Sequence, residues 1–129
     1  MTSNEEITSG LEAWQKAKAK SQAYKEFSDI VVKYDEKVTR QLNEAISKYN
    51  RIKKHGTNPD AMYKAMDEMT TLKYKALEAR NLSLEILQRS IDAIKDEERV
   101  HGEFNEMALK AIQEEDEIKG SQETKQNSD

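Results

Sequence analysis

The chain has 129 residues, 36 % of them charged and 36 % hydrophobic, with one proline, four glycines and no cysteine. So few turn-forming residues leave little room for anything but long helices, and we expect one all-α domain. The formal net charge of -4 comes from residues 113–129, which hold six acidic residues and two lysines. We therefore expect no nucleic-acid partner, because the rest of the chain is neutral and offers no basic face.

The first predicted helix spans about residues 11–55, since Gly10 weakens the extreme N-terminus. Its apolar residues recur at spacings of three and four, with one step of two successive fours around Val38. This pattern is typical of a coiled-coil-like stripe. The stripe consists of Tyr24, Phe27, Val31, Tyr34, Val38, Leu42, Ala45, Tyr49 and Ile52.

A turn is predicted at residues 56–58. Gly56 can take the left-handed conformation that ends a helix, Asn58 can cap the next helix, and Pro59 can begin it. Lysines and an arginine precede the glycine and Asp60 follows it, and both placements suit the helix dipoles. The pattern predicts a long antiparallel helical hairpin.

The second predicted helix spans about residues 59–101 and carries two apolar stripes. If the chain folds back at Gly56, the numbers of facing residues add up to about 114, which brings the larger side chains of one stripe against the first helix. Asn81 falls in that stripe, where a polar residue would fix the register or the number of partner helices. The members of this first stripe are Met62, Met66, Met69, Leu77, Leu84, Leu87, Ile91 and Ile94.

The second stripe is displaced by more than a quarter turn, so the apolar arc is wider than one partner helix can cover. Its members are Leu72, Ala76, Ala79, Leu82, Ile86 and Ala93. The C-terminal segment, a second copy of the chain or a different protein could pack there. The predicted partner-binding residues are Leu72, Tyr74, Ala79, Leu82, Ile86 and Ala93.

Gly102 interrupts the second helix, and a short amphipathic helix is predicted at about residues 103–118. It could extend the hairpin, which would place Phe104 near Trp14, or detach as a third helix. Residues 120–129 are too polar to bury anything and are predicted to be a disordered tail, which leaves residues 1–119 as the domain.

No residue pattern supports catalysis, a cofactor or a metal ion. Glu98 and His101 have a spacing found in di-iron bundles, but the chain holds no second such pair and its glycines are isolated. Ile30–Val32 is the longest apolar run, far short of the roughly 20 residues of a membrane span. The first residues lack the features of a cleavable signal, so we expect a soluble protein, cytoplasmic or exported without one.

The predicted hairpin resembles that of type III secretion needle and inner-rod subunits. The shared features are a helix, a tight turn containing Asn58-Pro59 and a second helix with an aliphatic end. The residues involved run from about Tyr24 through 57–62 to 84–94, a little over half of the chain. The chain then runs on for 35 residues, whereas those subunits finish near the second helix. The resemblance implies a small exported subunit or an associated helical protein.

The leading hypothesis is a non-enzymatic protein that binds other protein helices, in a homo-oligomer or a hetero-complex, through the apolar stripes of its second helix. The alternative is a secretion-associated subunit or export chaperone.

Overall fold

The structure is a computed structural model that describes residues 2–56 and 58–127, with side chains up to Gly120. It contains two helices, α1 (Asn4–His55) and α2 (Pro59–Asn127), and no strand among these residues. The helices pack against each other as an antiparallel hairpin, which confirms the predicted fold class. Neither described helix has a stretch apolar and long enough to cross a bilayer.

Helix α1 begins at Asn4, so the predicted start near residue 11 is wrong. Ser3 caps the helix, because its hydroxyl oxygen accepts a hydrogen bond of 3.1 Å from the Glu6 N–H and its carbonyl accepts one of 3.2 Å from the Ile7 N–H. Glu5 and Glu6 lie in the first turn, where the helix dipole favours negative charge. These interactions outweigh the cost of Gly10.

The turn lies where the sequence predicts it, and Asn58 caps α2 as predicted. The Asn58 Oδ1 atom accepts hydrogen bonds from the N–H groups of Asp60 at 3.0 Å and Ala61 at 3.4 Å. Gly56, however, does not adopt a positive φ, contrary to the prediction. A Cβ atom there would lie 3.1 Å from the Lys53 carbonyl oxygen, so glycine permits a close backbone approach.

Helix α2 is continuous through Gly102 to Asn127, so the predicted separate helix at 103–118 is part of α2. One glycine in a helix costs only about 1 kcal/mol, which tertiary packing on either side offsets. The predicted disordered tail is also helical up to Asn127, and its last two residues lie outside the described part of the chain.

The chain divides into two compact units. The tip unit comprises residues 23–90 and contains the turn; the terminal unit comprises residues 2–22 and 91–127. The buried side chains of both are small or medium-sized. They are Val31, Val38, Ala45, Ala65, Ala79 and Ile86 with Ser28, Asp35 and Ser90 in the tip unit, and Ala17, Ser21 and Ala93 in the terminal unit.

Candidate helix-binding surface

In the tip unit, α2 faces α1 with a line of small residues. The buried and half-buried positions alternate at spacings of four and three without interruption. Alanine and serine at these positions let two helix backbones approach closely. The line, called the seam of α2, consists of Ala65, Met69, Leu72, Ala76, Ala79, Ser83, Ile86 and Ser90.

The two apolar stripes of α2 are therefore exchanged relative to the sequence prediction at most positions, except that Met69 of the first stripe lies in the seam and Leu82 of the second is exposed. Ala79 and Ile86, predicted to meet a partner, are only 2 % and 5 % exposed, and Leu72 is half-buried in the same seam. Leu84 and Leu87, predicted to face α1, are 57 % and 48 % exposed. The prediction placed the largest side chains inside, whereas the structure buries the small ones.

The stripe of α1 also differs from the prediction in two members. Phe27 and Tyr34 are exposed, and their neighbours Ser28 and Asp35 are buried instead. With this replacement the inward positions follow an unbroken alternation of three and four, and the predicted step of two fours around Val38 does not exist. The inward residues of the tip unit in α1 are Tyr24, Ser28, Val31, Asp35, Val38, Leu42, Ala45, Tyr49 and Ile52.

Asp35 is the charged residue of this seam. Its carboxylate accepts a hydrogen bond of 2.8 Å from the Arg80 Nε–H and one of 3.4 Å from the Thr39 hydroxyl. The Asp35 side chain is 12 % exposed and that of Arg80 is 59 % exposed, so the arginine brings its charge from the solvent side. Asn81, predicted to be the polar seam residue, is exposed.

Leu77, Leu84 and Leu87 form an exposed line on one flank of the seam, the outer apolar face of the tip unit. Arg80 falls in the same line, three residues after Leu77 and four before Leu84. In the terminal unit Ile91 and Ile94 are exposed as well. The outer apolar face is unoccupied by any described part of its own unit.

Tyr74 and Leu82, the two other predicted partner-binding residues of the tip unit, are 67 % and 40 % exposed. At 100° per residue, Leu82 lies on the flank of the seam opposite to Leu84 and Leu87. Tyr74 and Leu82 are accessible to a partner, whereas Ala79 and Ile86 are not.

In the terminal unit, Ala93 is buried and Trp14 stacks against two aromatic rings of α2. The Trp14 ring centroid lies 4.5 Å from that of His101 and 5.8 Å from that of Phe104. The predicted proximity of Phe104 and Trp14 is confirmed. Lys18 Nζ lies 5.8 Å from the Trp14 ring, so a cation covers the indole.

His101 is thus a stacking partner of Trp14, while Glu98 is exposed. Among the described residues, no group of three or more histidine, aspartate or glutamate side chains could hold a metal ion. On the same helix, hydrogen bonds from Arg99 to Asp96 and Glu103 raise the pKa of the Arg99 guanidinium above its ordinary value.

Comparison of the chain with protein-family models, with curated proteins and with solved structures finds no match.

Proposed function

We propose that this protein is a non-enzymatic helical interaction protein whose outer apolar face binds a helix of another polypeptide. The observation that carries the proposal is the exposure of Leu77, Leu84 and Leu87 in a line beside the packed seam of α2. Apolar residues at helical spacing are the anchors by which one amphipathic helix binds another. The binding surface is thus the stripe next to the one predicted from the sequence.

The size of this surface suits a modest affinity. Full burial of an exposed leucine contributes about 1.5–3 kcal/mol, and Leu84 and Leu87 are each about half exposed. Together they would contribute about 1.5–3 kcal/mol, a roughly 10- to 150-fold effect on a dissociation constant.

Site-specific photo-crosslinking in the native host tests the proposal. A photoreactive residue at position 87 should give a discrete protein adduct, and a second one at the exposed position Glu78 should not, because Glu78 lies away from the outer apolar face. Adding Leu84→Glu should remove the adduct, since a carboxylate would be buried without a partner.

The substitution should leave the hairpin intact, because Leu84 is exposed, and unchanged helicity by circular dichroism is the control. Equal adducts from positions 78 and 87, or none from position 87, would contradict the proposal.

As an alternative we propose a secretion-associated subunit or export chaperone. What supports it is that the tip unit, residues 23–90, spans nearly the same part of the chain that resembles needle and inner-rod hairpins. Fractionation of a growing culture tests this alternative: the protein should appear in the supernatant, or bound to an exported protein, only while the secretion system is active. Its absence from both would overturn the alternative.

A further inference from the structure

The tip unit carries a basic groove beside the turn. Residues 48–55 include four lysine or arginine side chains and no acid. The groove has a volume of about 430 Å³ and is lined by Lys48, Arg51, Ile52, His55, Asn58 and Ala61. Arg51 makes no ion pair with any described residue. Lys48 forms an ion pair of 3.3 Å with Glu68, but the Lys48 side chain is more than half exposed. The groove therefore combines an apolar floor with available positive charge.

The terminal unit carries a surface of the opposite character. Residues 112–118 hold four acidic side chains and no base, and they lie beside the start of α1, where the Thr2 N–H donates a hydrogen bond of 2.9 Å to Glu114. A groove of about 460 Å³ runs there, lined by Ile7, Ala111, Ile112, Ile118, Glu114 and Glu115 among others. Asp116 and Glu117 are exposed and without a described ion pair. We call residues 112–118 the acidic segment.

We propose that the basic groove of one copy of this chain binds the acidic segment of a second copy. The two surfaces are opposite in charge, and each combines charged side chains with apolar ones. Complementary potentials steer association and fix its register. The exposed Ile112 and Ile118 supply the apolar part of the acidic segment, and Ile52 and Ala61 supply that of the groove.

Such a contact is heterologous, because the two copies contribute different surfaces. Each added copy leaves one basic groove and one acidic segment free, so association continues into rings or open chains. The contact does not use the outer apolar face. Its strength should depend on salt, since exposed charges are screened over about 10 Å at 0.1 M ionic strength.

Sedimentation velocity of the full chain tests the proposal. At low salt, about 20 mM, the weight-average mass should rise above the monomer value of 14.9 kDa with protein concentration, and at about 500 mM salt it should fall back towards it. Lys48→Glu with Arg51→Glu, or Asp116→Lys with Glu117→Lys, should each weaken association at least about tenfold.

A charge swap makes the test specific. Mixing the groove variant with the segment variant should restore association, because each altered surface meets its complement on the other protein. Lys16→Glu with Lys20→Glu changes the net charge as the groove variant does, in exposed residues outside both surfaces, and should associate like the wild type. A mass of 14.9 kDa at every concentration in low salt, or association that neither reversal weakens, would overturn the proposal.

The test is separate from that of the outer apolar face. Leu84→Glu should leave the salt-dependent mass unchanged, so either proposal can fail while the other stands.

Discussion

At the scale of single residues, Asp35 is the most informative position of the tip unit. A carboxylate between two helices is costly unless a cation reaches it, and Arg80 does so at 2.8 Å. A shift of α2 by one heptad would remove this partner and leave the carboxylate with the Thr39 hydroxyl alone. The pair therefore favours one register among the many that a repetitive seam of alanine and serine would permit.

We predict an asymmetry between the two halves of this pair. Arg80→Ala leaves a nearly buried carboxylate without its cation and should lower the free energy of unfolding by about 1–2 kcal/mol. This value is smaller than that for a fully buried pair, because Arg80 is exposed to water. Asp35→Ala should cost at most about half as much, because Arg80 can return to water and alanine favours the helix. Urea denaturation of both variants measures the difference.

The exposed ion pair Arg89–Glu85, with both side chains more than half accessible, supplies the control. Arg89→Ala should change the free energy of unfolding by less than about 0.5 kcal/mol. An Arg80→Ala variant as stable as the wild type would show that the pair does not hold the register.

At the scale of the helices, the sequence predicts how the two helices are joined and which residues face each other. The hairpin, the cap at Asn58 and the pairing rule are confirmed, and the cross-helix pairs Lys48–Glu68, Asp35–Arg80 and Trp14–His101 follow that rule to within two residues. Local turn chemistry and the length of the chain on either side of the turn determine the hairpin, the cap and the pairing of residues. They do not depend on which face of α2 is buried.

The choice of face could not be made from hydrophobicity alone. Helix α2 carries one heptad line of leucine and isoleucine and a neighbouring line of alanine, serine and Ile86, and ranking by size selects the first. The sequence did contain a feature that favours burial of the line of small residues. Ala65, Ala79, Ile86 and Ala93 share one unbroken heptad position, whereas Arg80 interrupts the leucine line. A buried seam needs uninterrupted spacing more than it needs bulk.

The same scale includes Gly102, where the sequence predicted a break. A Cβ atom at Gly102 would meet no atom within 4 Å, so Gly102→Ala should raise the free energy of unfolding by about 0.5–1 kcal/mol through helix propensity. At Gly10 a Cβ atom would lie 2.5 Å from Met107 Cε and 3.1 Å from Phe104 Cδ2. Gly10→Ala should therefore gain less, because side chains must move.

Urea denaturation checks this comparison as well. A Gly102→Ala variant without any gain would indicate that α2 is interrupted there, as the sequence first suggested.

At the scale of the whole molecule, each unit pairs a segment of α1 with a segment of α2, and each exposes a surface that its own packing does not use. In the tip unit these are the outer apolar face and the basic groove; in the terminal unit it is the acidic segment. Since the buried side chains are small, much of the large apolar surface lies outside, as expected of a chain that binds other polypeptides.

Ile86 lies inside the hairpin and Leu87 lies outside it. The chain contains no cysteine, so Ile86→Cys and Leu87→Cys each introduce one thiol at adjacent positions, and the rate of maleimide labelling under native conditions compares them directly. The cysteine at 87 should react as fast as it does in urea, and the cysteine at 86 at least about tenfold more slowly, limited by local opening of the helices. Fast labelling at 86 with protection at 87 would contradict the account.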